Sequence, residues 1–146
     1  MAGFCNSGHA PSIMRNMELR DYFENVQGHG VLATADAQGK VNLAMYARPH
    51  VMEDGTLAFI MPHRLTHANL QANPHAAYLF VEAGPGYKGK RLYLTKVREE
   101  QDTDLLTSLR RRVYSPEKEA ATGPKYLVFF QLDKELPVVG SGEAGH

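Results

Sequence analysis

The stretch MPHRLTHANLQANPH, residues 61–75, gathers His63, Arg64, Thr66 and His67 directly behind the apolar run TLAFI. Pro62 stands where proline precedes or opens a helix and Asn73-Pro74 stops one, so residues 65–72 are expected to form a short helix. A helix beginning there presents unpaired backbone N–H groups beside a guanidinium and a hydroxyl, with His63 or His67 in reach. That set suits a phosphate, which takes a partial positive field, a bidentate cation and a hydroxyl donor. The same residues also fit an ordinary connector helix. His63 and His67, four apart, would share a helix face and could hold one metal, but no H-E-x-x-H pattern or third ligand accompanies them, and no metal site is expected.

Other patterns carry less chemistry. GPGYKGKR sets Gly84, Gly89 and Lys90 at phosphate-loop spacing, yet Arg91 replaces the required Ser/Thr and a strand rather than a helix follows. A glycine-rich hairpin loop is expected there. His29, His50 and His75 are scattered and read as surface or strand-end residues. No Ser/His/Asp or Cys/His arrangement assembles, and nothing local lowers the pKa of Cys5. No catalytic acid, base or nucleophile is therefore named.

The elements that must position these residues follow from periodicity. Leu19, Tyr22, Phe23 and Val26 predict a helix over about 17–27, stopped by Gly28 and Gly30. GVLATADAQGKVNLAMYARPHV reads as two strands around an Asp-Ala-Gln-Gly turn, EDGTLAFIM as a turn and third strand, and HAAYLFVEA as a fourth. KRLYLTKVREE is a fifth, with alternating Leu92, Leu94 and Val97, and KYLVFFQLDKEL a last long strand. Between them DTDLLTSLRRRVY predicts a helix with Leu105, Leu106, Leu109 and Val113 on one stripe and arginines at its end. Strands with so few helices between them predict a mainly β fold, a six-stranded antiparallel barrel, because parallel pairs need a crossover at each step.

Composition narrows the function classes. At 146 residues the chain has the length of one domain, expected over 17–140 between a loose arm at 1–16 and a tail at 141–146. Sixteen basic residues balance sixteen acidic ones, so nothing steers the chain toward nucleic acid or an anionic membrane. There is no signal-like start and no apolar run of about 18 residues, so no membrane span is expected. A single cysteine excludes an intramolecular disulfide framework and fits a reducing compartment, the cytoplasm.

The order GVLATADAQGKVNLAMYARPHV, DGTLAFIMPHRLTHANLQANPHAAYLF and KGKRLYLTKV resembles the FMN-binding split-barrel family related to pyridoxamine 5′-phosphate oxidase, over roughly residues 18–98. The resemblance implies a split β-barrel that dimerises with flavin mononucleotide (FMN) between two subunits. It places Ala44, Met45, Tyr46 and Ala47 beside the isoalloxazine, Phe59, Ile60 and Met61 along the ring and ribityl chain, and His63, Arg64 and Thr66 at the phosphate. Tyr46 and Tyr93 are the aromatics best placed to stack or donate a hydrogen bond. The chain departs from the pattern in carrying Thr66 where many relatives have Lys, so Arg64 must supply the charge. It has no tryptophan and no counterpart to the longer C-terminal region of the vitamin-B6 oxidases, whose substrate site is not carried across. The resemblance thus implies an FMN-dependent oxidoreductase or electron-transfer protein with a small-molecule redox partner. A non-catalytic flavin-binding protein, a deazaflavin cofactor, and a heme protein using His63 or His67 as axial ligand stay open beside it.

Overall fold

The computed structural model describes residues 12–110 and 123–140. The tail, most of the expected arm, and Val113 with the last arginines of its helix lie outside them. Three helices and seven strands follow one another as α1 (Ser12–Asn25), β1 (Gly28–Ala35), β2 (Val41–Met45), β3 (His50–Val51), β4 (Leu57–Pro62), α2 (Leu65–Ala72), β5 (His75–Glu82), β6 (Gly89–Gln101), α3 (Asp104–Leu109) and β7 (Lys125–Leu136). All strand pairs are antiparallel, in the order β2-β1-β5-β6-β7-β4-β3. The sheet has seven strands rather than six: β3 is only two residues long, too short to show an alternation in sequence.

Each element has a local cause. Asp36 Oδ1 accepts from the backbone N–H groups of Gln38 and Lys40, and Gly39 supplies the positive φ that closes the β1–β2 hairpin. Residues 83–88 are the β5–β6 connection, with Glu82 N–H donating to Lys88 O, and the strand expected after it begins at Gly89. Thr103 caps α3 by accepting from Leu106 N–H. Helix α1 begins at Ser12, inside the stretch expected to be an arm. Met14 and Met17 are exposed there, so neither joins a buried stripe that periodicity could reveal.

The main core lies between the inner sheet face and α1. Leu19 and Phe23 of α1 meet Leu32, Phe59, Met61, Tyr78, Phe80, Leu92, Leu94, Val128 and Phe130. Phe23, Tyr78, Phe80, Phe59 and Phe130 meet in a run of edge-to-face rings. Gly30 is required by this packing, since a Cβ there would collide with the Tyr78 ring. A second cluster, Ala58, Leu106, Leu127 and Phe129, seats α3 on the opposite face of β4 and β7.

β6 breaks its own alternation. Lys96 pairs with Phe130 and Arg98 with Phe129, so Val97 is an extra residue, a β-bulge. Val97 is half exposed and takes no part in the core that holds Leu92 and Leu94. Residues three apart in a regular strand face opposite ways; across the bulge, Lys96 and Glu99 come to one face and meet at 2.7 Å.

Candidate functional site

The sheet does not close. β2 ends it on one side and β3 with β4 on the other, and the gap between these edges is a cleft of about 970 Å³. Tyr46 N–H donates to Gly30 O at 2.9 Å, so by the alternation of an antiparallel ladder the peptide groups of Leu43 and Met45 turn away from β1, toward the open edge. Ala44, Met45, Tyr46, Ala47, Ile60, Arg64 and Thr66 all line the cleft. Three residues expected in the site and one flanking aromatic sit elsewhere. Phe59 and Met61 point into the core at 1% and 0% exposure, because β4 alternates and only Ile60 and Pro62 face outward. His63 is exposed, with Nδ1 at 3.4 Å from the Tyr126 hydroxyl. Tyr93 is on the exposed surface of β6, with the Lys134 ammonium 5.8 Å from its ring centroid.

The phosphate-type end is built as the spacing implies. Arg64 occupies the N-cap position of α2 without capping it, so no side chain of its own cap satisfies the first-turn N–H groups. Arg64, Leu65 and Thr66 face the cleft, and Arg64 forms no ion pair among the described residues. Tyr46 stands beside them, its ring edge-on to Phe59 and its carbonyl accepting from the Tyr78 hydroxyl at 3.0 Å. Burial raises the Tyr46 phenol above its ordinary value, against the opposing hydrogen bond with Thr66 and the charge of Arg64. The phenol is thus a neutral hydrogen-bonding group at neutral pH.

The charge of the lining is one-sided. Arg48, Arg64, Arg110 and Lys125 contribute to it with His29 and His50, and no Asp or Glu does among the described residues. In a chain of zero formal charge that segregation favours an anionic ligand. Nothing in the sequence marks Arg48 as a site residue. Its Nη1 donates to the carbonyls of Phe23 and Val26, both at 2.9 Å, tying the end of α1 to the cleft wall across more than twenty residues of sequence.

His67 belongs to a different construction. It is buried, stacks on Tyr126 with centroids 3.7 Å apart, and holds Nε2 at 3.1 Å from both Glu99 oxygens. This pairing engages Nε2 of one of the two axial-ligand candidates of the heme reading. Among the described residues no group of three or more His, Cys, Asp or Glu could hold a metal, and no helix is long and apolar enough to cross a membrane.

No family model matches the sequence, and no curated protein does. Solved structures do. An FMN-binding protein from Syntrophomonas wolfei subsp. wolfei superimposes with a TM-score of 0.66 at 21% identity, over 87% of this chain and 90% of that one. An F420 reductase gives 0.60 at 15% identity, over 75% and 89%. A putative pyridoxamine 5′-phosphate oxidase from Lactobacillus delbrueckii gives 0.58 at 17% identity, over 82% and 90%. At these identities the likeness shows the fold: the unclosed antiparallel sheet is that of the pyridoxamine 5′-phosphate oxidase-like split barrels.

Proposed function

We propose that the protein binds FMN in the split and acts as a flavin-dependent oxidoreductase or electron-transfer protein distinct from the B6 oxidase. The observation that carries this reading is a cleft with no Asp or Glu among its described lining residues, in which the uncapped start of α2, Arg64 and Thr66 face one space. The solved structures of this fold that are described as binding FMN, or named for a deazaflavin reductase, support a flavin-type ligand.

Each part of the lining suits a part of that ligand. Arg64 and the first-turn N–H groups of α2 would hold the phosphate, with the Thr66 hydroxyl as a further donor. The small side chains Ala44 and Ala47 leave room for a flat ring against β2, and Ile60 gives an apolar wall opposite. The outward peptide groups of Leu43 and Met45 would meet its polar pyrimidine edge. When bound, FMN supplies the redox chemistry, and the chain supplies binding, orientation and exclusion of water.

A second copy of the chain is part of the proposal. Val41, Leu43 and Met45 are exposed by 76%, 69% and 64% on the outer side of an edge strand. They pair with Ala35, Ala33 and Val31, which continue the same apolar face. A homodimer that buries this face would cover both the strand edge and the ligand beside it. A reducing, cytoplasmic setting and a small-molecule electron partner complete the reading.

The test is an absorption spectrum from 300 to 600 nm before and after incubation with FMN and desalting, with light scattering on the same sample. Retained flavin bands and a mass of twice 16.2 kDa are expected. A Soret band in their place would select heme, and a flat spectrum after reconstitution would remove the flavin reading. Bound flavin that no reduced nicotinamide reduces would leave binding and remove the oxidoreductase.

A further inference from the structure

α2 is eight residues long, and an isolated helix of two turns is unstable in water. Its position at the cleft is therefore set by what grips it from outside. On one side Asn69 Nδ2 donates to Thr34 Oγ1 at 3.1 Å, with both residues buried. Nearly opposite around the helix, His67 stacks on Tyr126 of β7 and faces Glu99 of β6. Glu99 also accepts from Lys96 Nζ at 2.7 Å and from Gln71 Nε2 at 2.9 Å. His67 Nε2 lies 3.1 Å from both Glu99 oxygens and 3.1 Å from Gln71 Nε2, and with its proton on Nε2 it donates to the carboxylate, which only accepts.

This second grip needs the Val97 bulge, without which Lys96 and Glu99 would face opposite ways. Bulges of this kind re-aim side chains near functional sites. Here the re-aimed carboxylate contacts a residue immediately after Thr66, which lines the cleft.

We infer that His67 and Glu99 are positioning residues for the cofactor phosphate: their bridge fixes the rotation of α2, and hence the aim of Arg64, Thr66 and the first-turn N–H groups. The inference rests on the FMN reading and adds to it where phosphate selectivity comes from. A clamp that only held the fold together would affect all flavins alike. One that aims the phosphate grip affects FMN and spares riboflavin, which has the same ring and ribityl chain and no phosphate.

The experiment titrates the full chain with FMN and with riboflavin, following flavin fluorescence, in the wild type and in Glu99→Gln. The wild type is expected to prefer FMN by about tenfold or more, the scale of one charged hydrogen bond. Glu99→Gln, which keeps the shape and removes the charge, is expected to reduce that preference about three- to tenfold while riboflavin affinity stays within about twofold. Glu99→Asp should fall between the two. An unchanged preference in Glu99→Gln overturns the clamp and leaves the FMN site standing. Equal binding of both flavins by the wild type overturns the phosphate site and the clamp with it. Should Glu99→Gln fail to fold, Gln71→Ala, exposed on α2, gives the same readout at smaller amplitude, and an unchanged preference there overturns the clamp equally.

Discussion

On the two sides of α2 that meet β1 and meet β6 with β7, the polar side chains are matched: Asn69 with Thr34, and His67 and Gln71 with Glu99. On the flank that meets the cleft, Arg64 has no ion pair among the described residues and the helix start is uncapped. Both sets draw on the His, Arg, Asn, Gln and Thr side chains of eleven consecutive residues, 61–71. Residue type alone therefore does not separate scaffold from site. Saturation does: buried polar groups with partners hold the structure, whereas donors grouped around open space await a ligand.

That contrast can be broken by mutation. The largest effect is expected for His67→Ala, which should cost about 3 kcal/mol of folding stability, the upper end for a hydrogen bond to a charged group, because it also strips the stacked ring from Tyr126. A urea midpoint that does not move would place His67 on the ligand side instead. Next, Arg64→Ala should weaken FMN binding by about 2 kcal/mol while the ligand-free protein stays within about 0.5 kcal/mol of wild type. Equal affinity by titration would remove Arg64 from the site.

Acid should act on the matched side chains. Burial alone would raise the Glu99 carboxyl, but hydrogen bonds from Lys96, Gln71 and His67 overcome it and hold the carboxyl down at about 2, against an ordinary value of 4.5. A lowered folded-state value means that the contribution is complete above about 4.5 and is lost as pH falls toward 2. With the side chain a quarter exposed, the loss is on the order of 1–2 kcal/mol. Glu99→Gln should flatten this part of the stability profile, and an unaltered acid limb would show that other groups dominate it. The smallest effect is expected for Thr66→Val, about 1 kcal/mol in FMN affinity for one neutral hydrogen bond. A loss of folding stability with no change in affinity would instead assign Thr66 to the scaffold through Tyr46.

The legible parts of the molecule are those written in local spacing. The Asp36 turn, the alternation of β1 and β5, the Thr103-capped stripe of α3 and the short helix ended by Asn73-Pro74 all have causes within a few residues. Asn73 even shows its mechanism, with Oδ1 accepting from His75 N–H and Nδ2 reaching Asp36 O. What escapes is set at a distance or by parity. Phe59 and Met61 look as suited to the ring wall as Ile60 because β4 is apolar on both faces, and sequence does not say which face meets the core. Arg48 caps a helix that ends before β1 begins, and His67 finds Glu99 thirty-two residues away. Neither leaves a local trace.

Val97 gives β6 a property of its own: its value lies in its presence, with little dependence on its identity. Its side chain is half exposed, so exchange for another residue should be tolerated. Removing it would abolish this bulge and invert the strand from that point on, turning Glu99 away from His67 and Arg98 away from the Phe129 ring it now covers. A single-codon deletion at this position is thus expected to do what no single substitution there can. Length variation within β6 should be far less tolerated than in the exposed Gly84–Pro85–Gly86 loop that precedes it.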